Sequence, residues 1–281
     1  MLRRPIVCQL NLMRSNPRTQ PNVGSVSRAE QEGSLGAKSP WDNFARADAY
    51  TYIMTDLPRG DREAFWQSGK ATVHQELLPI IRKHAVPLGT ALEIGCGLGR
   101  LVFPMSDQFA RVLGLDISPE MVRQGTALAA RKNATNVRFL SLADYERRPH
   151  DFGLVEGSVD FVYSLLVFQH IPDFRSIKNY FQLAGLVLSS HGVAYLQFDT
   201  RPQNAVYRVK SLLPDFLLPR FMRRGIRRIR RTAEELESGF ADCGLDIVES
   251  AGSLTEYNCF VLKKCEVQRV SSLVTAQTAP G

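Results

Sequence analysis

Ala91-Leu92-Glu93-Ile94-Gly95-Cys96-Gly97-Leu98-Gly99-Arg100-Leu101 decides how the rest of the chain is read. It opens as a short apolar run, Ala91 to Ile94, of the kind a buried parallel strand shows. Three glycines then alternate with other residues, and an apolar run resumes at Leu101-Val102-Phe103 as a helix would. The order is strand, glycine turn, helix. Glycine allows the turn unusual backbone angles and lets a ligand lie against the main chain with no Cβ in the way. The helix that follows points free N–H groups at the same place.

The spacing of the glycines narrows the ligand. A dinucleotide fingerprint is G-x-G-x-x-G, with the diphosphate on the helix N-terminus. Here the spacing is G-x-G-x-G, and Arg100 takes the place of the last dinucleotide glycine. Glu93 stands two residues before the first glycine, and a carboxylate there suits a cationic ligand better than a diphosphate. S-adenosylmethionine carries an ammonium group and a sulfonium and no phosphate. The stretch resembles the first motif of the class I S-adenosylmethionine-dependent methyltransferases.

Downstream, strands alternate with helices. Arg111 to Asp116 reads as a second strand, Asn136 to Leu140 as a third, Ser158 to Tyr163 as a fourth and Gly192 to Phe198 as a fifth. Ser118 and Pro119 look like the N-cap and first turn of the helix after the second strand. Ile177, Tyr180, Phe181, Ala184, Val187 and Leu188 mark an amphipathic helix before the fifth. A second helix start at Thr232, then Asp246 to Val248 and Tyr257 to Leu262, close the pattern with a hairpin-like end to the sheet. Such alternation implies a parallel sheet covered on both faces.

Upstream, residues 40–85 carry apolar positions at helical spacing and both tryptophans, Trp41 and Trp66. Residues 1–38 are polar and Arg-, Ser- and Pro-rich, and are expected to be a disordered leader; 265–281 read as a disordered tail. Between the fifth strand and Thr232, residues 201–231 interrupt the alternation. Their first half is apolar, and Arg220, Arg223, Arg224, Arg227, Arg228, Arg230 and Arg231 form a dense basic run. It accounts for much of the net charge of +7. It stands past the carboxyl end of the fifth strand, where it would cover the acceptor side of a site and attract an anionic or membrane-associated acceptor. No aromatic residues interleave with it in the way base stacking needs, so nucleic acid is not the expected partner.

The bounds agree with an enzyme of one large domain. The 281 residues are 44% hydrophobic and 22% charged, ordinary for a globular chain, and no apolar run approaches the roughly 20 residues that span a bilayer. Five cysteines lack any C-x-x-C pairing and five histidines give no ligand pair, which predicts reduced thiols, a cytoplasmic protein and no metal.

In an open parallel sheet, ligands sit beyond the carboxyl ends of the strands. Asp116 ends the second strand, where a carboxylate accepts hydrogen bonds from both ribose hydroxyls. Gly114 to Met121 resembles the second methyltransferase motif, and Asp160 to Pro172 resembles the segment around the family's fourth strand. The family usually has a Gly-Asp pair at the end of the third strand; Leu142-Ala143-Asp144 displaces the acid by about one residue. The resemblance covers about residues 40–264. It implies a Rossmann-like class I fold, a seven-stranded mostly parallel sheet with its last strand antiparallel. It also implies S-adenosylmethionine held by Glu93, Gly95, Cys96, Gly97, Gly99, Asp116, Ile117, Met121, Asp144, Ser164 and Leu165. His170, just past the fourth strand, is the candidate for orienting the acceptor or taking its proton. The N-terminal helices, residues 60–70 above all, are candidates for a lid. The nearest subgroup is the small-molecule type that includes ubiquinone-biosynthesis enzymes, since the D/N-P-P-Y/F motif of nucleic-acid amino-methyltransferases has no counterpart in Ser164-Leu165-Leu166-Val167. Two other classes stay open from the residues alone: a binding or scaffold protein that keeps the fold without turnover, and a nicotinamide-dependent oxidoreductase.

Overall fold

The computed structural model describes residues 40–58, 60–213 and 227–265. The expected leader, nearly all of the expected tail, and Arg220, Arg223 and Arg224 of the basic run lie outside them.

Two helices come first, α1 (Pro40–Ile53) and α2 (Arg62–Thr72). Asp61 caps α2 by accepting from the N–H of Ala64. Periodicity predicts that the next helix runs without a break through Val73, Leu77, Leu78 and Ile81. The chain instead widens to a π turn at Val73–Leu77 before α3 (Leu78–Lys83). Pro79 gives the reason: it has no N–H for the carbonyl four residues back, and its ring crowds that carbonyl. In the wider turn the N–H of Leu78 bonds the carbonyl of Val73, five residues back, and the same four apolar side chains stay buried.

Then strands and helices alternate as the sequence predicts. They are β1 (Thr90–Ile94), α4 (Val102–Ser106), β2 (Arg111–Asp116), α5 (Pro119–Arg131), β3 (Val137–Ser141), α6 (Leu142–Arg147), β4 (Val159–Ser164), α7 (Phe174–Val187) and β5 (Leu188–Phe198). The insertion contributes α8 (Ala205–Leu212); α9 (Ala233–Ala241), β6 (Leu245–Ala251) and β7 (Asn258–Lys264) complete the domain. Local chemistry places the helix starts. Ser118 accepts from the N–H of Met121 with Pro119 in the first turn of α5, Asp173 accepts from Arg175 and Ser176 at α7, and Thr232 accepts from Glu235 at α9.

Among the described residues seven strands form one sheet in the order β3-β2-β1-β4-β5-β7-β6. The pairs from β3 through β5 are parallel, and β7 runs antiparallel between β5 and β6. This is the expected mostly parallel sheet with an antiparallel last strand. β5 begins at Leu188 and not at Gly192, because Leu188 pairs with Val159 across a shift in register. The two faces of the sheet bury separate cores. Leu92, Ile94, Leu113, Val162 and Leu196 pack with α7 and α9 through Phe181 and Phe240. Val112, Phe161, Tyr163 and Val193 pack with the π turn, α3 and α4 through Leu77, Ile81 and Val102. Because β1 lies between β2 and β4, connections leave it in opposite directions, and a crevice opens at the carboxyl ends of β1 and β4.

Candidate active site

The glycine turn follows β1 directly and is held by main-chain bonds. The N–H groups of Gly95 and Cys96 both donate to the carbonyl of Leu115, at 2.7 and 3.1 Å. Gly95 and Gly97 adopt φ of +75° and +52°, a region that disfavours any side chain. Asp116 then ties the turn to the next one: its Oδ2 accepts from the N–H of Gly97 and its Oδ1 from the N–H of Ser118, each at 2.8 Å. Burial raises the Asp116 carboxyl to about 6, the two backbone N–H bonds pulling the other way. An ionised carboxylate has about four acceptor sites, so each oxygen keeps one lone pair beyond these bonds. Next to it Ile117 is 50% exposed, an apolar side chain at the mouth of the crevice.

Glu93 does not lie on the rim. It is 4% exposed, on the face of β1 that meets α4 and the π turn, and burial pushes its carboxyl well above the ordinary range. Arg100, also buried, pulls it back, and is itself lowered by burial while Glu93 and Glu76 hold it charged. The guanidinium donates to Ser68 and Thr72 of α2. Glu93 Oε2 and Tyr163 OH are near enough to shift one another's proton affinity, yet neither has a hydrogen-bond partner of good geometry. Arg100 is the cation that this buried acid faces behind the glycine turn.

The other expected residues fall into two groups. Ser164 ends β4 beside the turn and donates its hydroxyl to the carbonyl of Ile94 at 2.9 Å. Leu165 and Cys96 are buried in the core on the α4 side, where burial raises the Cys96 thiol. Met121 is buried too, packed with Ala45, Ala49, Phe65 and Leu98 between α5 and the N-terminal helices. Asp144 sits in the first turn of α6. There it accepts from the hydroxyl of Ser141 at 2.7 Å and pairs with Arg147 at 2.6 Å, which hold its carboxyl below its ordinary value. Gly99 is filled in by packing, since a Cβ on it would meet Phe139 at 2.6 Å. His170 ends a single 3₁₀ turn, half-buried, with its Nε2 3.3 Å from the side-chain amide of Gln169.

Helix α1, a lid candidate ranked behind residues 60–70, lies across this site. Trp41 meets the His170 ring edge-on at 5.8 Å. Asp42 is buried and accepts from the Ser118 hydroxyl at 2.5 Å and the N–H of Glu120 at 3.2 Å, at the start of α5. A Cβ on Gly97 would stand 2.7 Å from Ile53 Cδ1. Helix α2, where a lid was expected at 60–70, packs instead behind the turn, with Gly69 directly against the carbonyl of Arg100. Apolar periodicity marks both helices alike; only the tertiary contacts tell which covers the turn.

The other side of the crevice, past β4 and β5, is closed by the chain that returns from the insertion. The N–H of Ile229 bonds the carbonyl of Gln169, and that of Arg231 bonds the carbonyl of Asp199. Asp199 is fully buried and is clasped by Arg201. Arg228 pairs with Glu256 and lies over Tyr257; Arg230 lies over Tyr207; Arg231 donates to the carbonyls of Ile171 and Pro172.

Residues 91–192 match a family model described as "Methyltransferase domain". No curated protein matches the sequence. Among solved structures, a magnesium protoporphyrin IX methyltransferase from Synechocystis, with bound S-adenosylhomocysteine, superposes at a TM-score of 0.54 and 19% identity, over 80% of this chain and 96% of that one. A protein from Pyrococcus horikoshii gives 0.57 and 18%, over 80% and 99%. An S-adenosylmethionine-dependent methyltransferase from Clostridium acetobutylicum gives 0.54 and 14%, over 81% and 100%. The sheet order and its antiparallel last strand are those of the Rossmann-like class I methyltransferase fold. No helix among the described residues is long and apolar enough to cross a membrane.

Proposed function

We propose that the chain is a class I S-adenosylmethionine-dependent methyltransferase and that it moves a methyl group to a small-molecule or lipid-like acceptor by in-line displacement. The observation that carries this is the junction at Asp116: one buried carboxylate joins the glycine turn to the start of α5 and keeps a lone pair free on each oxygen. Those lone pairs suit a pair of ribose hydroxyls, and exposed Ile117 beside them suits the face of an adenine. A buried acid behind the glycine turn, at Glu93, is a poor neighbour for a diphosphate. S-adenosylmethionine, when bound, supplies an electrophilic methyl on a sulfonium.

The protein's part is to bind, align and keep water out. Alignment is worth up to about 7–11 kcal/mol, more than one general base at about 10²–10⁴-fold. Helix α1 serves as the cover, with Trp41, Asp42 and Ile53 as its contacts. His170, held beneath Trp41 at the end of β4, orients the acceptor or receives its proton. A lipid-like acceptor is favoured by α8, whose Val206 and Val209 are 61% and 62% exposed. Arg228, Arg230 and Arg231 are engaged within the domain, so attraction to an anionic surface rests on Arg220, Arg223 and Arg224.

Calorimetric titration with S-adenosylmethionine and S-adenosylhomocysteine tests the first half. Labelled cofactor incubated with cell extract, followed by identification of the labelled product, tests the second. Binding without transfer would leave a scaffold protein; binding of a nicotinamide dinucleotide instead would return the oxidoreductase reading.

A further inference from the structure

Leu166 stands just past β4 with φ of +62°, in the left-handed region that a leucine avoids. Something must hold it there. Its N–H donates at 3.0 Å to Oε1 of Gln197, a residue of β5 that is 5% exposed. A backbone N–H only donates, so the Gln197 oxygen faces Leu166 and the amide nitrogen faces away. That nitrogen lies 3.8 Å from Sγ of Cys259 on β7. The amide is therefore gripped at both ends, and it links three strands through one side chain.

The turn that Gln197 holds is joined to the glycine turn on its other side. The Ser164 hydroxyl donates to the carbonyl of Ile94, the last residue of β1. Val167 lies against the Cα of Gly95, so close that a Cβ there would overlap it. A change in the backbone at Leu166 is therefore passed to the residue that presses on the cofactor turn. Strain of this kind, held by a specific buried partner in the crevice between β1 and β4, belongs to a site whose geometry is fixed in advance.

We infer that Gln197 is a positioning residue: by holding Leu166 in its left-handed conformation it sets the 164–167 turn against the glycine turn and fixes the surroundings of the transferred methyl. The inference rests on the reading of this crevice as the S-adenosylmethionine site. Gln197 itself touches neither cofactor nor acceptor in this scheme. Its removal leaves the affinity for S-adenosylhomocysteine, which has no methyl at sulfur, close to that of the wild type. What changes is the environment of the methyl.

The test uses the full chain, S-adenosylhomocysteine in a calorimeter, and S-adenosylmethionine carrying ¹³C at its methyl in NMR. Gln197→Met keeps the length of the side chain and removes the acceptor. Its affinity for S-adenosylhomocysteine should stay within about threefold of wild type, a small difference on the affinity scale, while the bound methyl resonance moves or broadens. Glycine is at ease at positive φ, so Leu166→Gly in the same chain removes the need for the hold and should return the resonance toward its wild-type position. An unmoved resonance in Gln197→Met overturns the inference, and so does a displacement that Leu166→Gly leaves in full. A loss of S-adenosylhomocysteine affinity beyond about tenfold also overturns it, because Gln197 would then support the cofactor turn as a whole. Absence of binding by the wild type overturns the cofactor reading itself, and this inference with it. Should Gln197→Met fail to fold, Leu166→Gly alone decides: relief of strain raises its thermal midpoint, and a lower midpoint overturns the inference.

Discussion

The side of the crevice proposed for the cofactor and the side proposed for the acceptor are built by different means. On the cofactor side, residues 93–121 are set largely within that one stretch: glycines at positive φ, the Leu115 carbonyl and Asp116 carboxylate that hold the N–H groups of the glycine turn, and a serine cap with a proline behind it, with Asp42 and Ser164 added from outside. On the acceptor side, nearly every fixed point is a bond between distant residues. Leu166 depends on Gln197, Gln169 on Ile229, Asp199 on Arg231, and the Ile171 and Pro172 carbonyls on Arg231. A side made of local chemistry is a motif that different chains can share. A side made of long-range pairings can be rebuilt around a new acceptor while the motif stays.

The largest effect that would break this contrast is expected at Gly97. Valine there meets the left-handed backbone and Ile53 together, about 1–2 kcal/mol from the first and about 1–3 from the second. Calorimetry should find S-adenosylhomocysteine binding lost. Tight binding by Gly97→Val would mean that the glycine turn is not the cofactor side at all.

On the acceptor side, His170→Ala should lower turnover by about 10²–10⁴-fold if the imidazole takes the acceptor's proton. A rate within about threefold of wild type removes it from the chemistry and leaves it as a loop residue beneath Trp41.

Asp116→Ala should weaken cofactor binding by about 2–4 kcal/mol, for two hydrogen bonds to a charged acceptor. The pH dependence sharpens this. Binding needs the carboxylate, so affinity should fall as pH drops through about 6, and the fall should be missing in Asp116→Asn. The free protein should show the opposite sign. Folding raises this pKa from 3.8, so the group favours the folded chain at acid pH and that contribution is lost as pH rises through about 6. Titrations of affinity and of thermal midpoint that slope the same way there would contradict the assignment.

The smallest effect concerns surface charge. Vesicle co-sedimentation at low and moderate salt should show no change when Arg228, Arg230 and Arg231 become Gln, because those side chains are bonded within the domain. Replacing Arg220, Arg223 and Arg224 should remove any preference for anionic vesicles, about 1 kcal/mol for each. Equal losses from the two sets would erase the distinction.

The same contrast explains what could be read from the sequence. Asp116 was legible as the candidate ribose ligand because its position at a strand end and its spacing from Gly95 are both local facts. So were the helix starts at Ser118 and Thr232. Asp144 was found as the acid after the third strand, but its engagement with Ser141 and Arg147 comes from the helical turn that starts one residue beyond the strand. Met121 was assigned from a motif, whereas its side chain belongs to the packing between α5 and α1. Nothing in the sequence near Asp42, Ile53 or Gln197 announces a role. Each acquires one only through a residue 44 or more positions away or across the sheet, as Asp42 does through Ser118 at a separation of 76 and Gln197 through Leu166 at 31. The arginine run was conspicuous by composition, and only the tertiary contacts show Arg228, Arg230 and Arg231 bonded within the domain.

The place of β7 has a consequence for how the protein is made. This is the last of the described strands, yet it lies inside the sheet, between β5 and β6. While the chain emerges from the ribosome, β5 therefore waits with a bare and mostly apolar edge along residues 194–198 until residues 258–264 arrive. An unpaired edge of that kind invites pairing with other chains. A message cut short before Asn258 would thus yield a polypeptide with the whole glycine turn and Asp116 in place, and with an open sheet that recruits its neighbours.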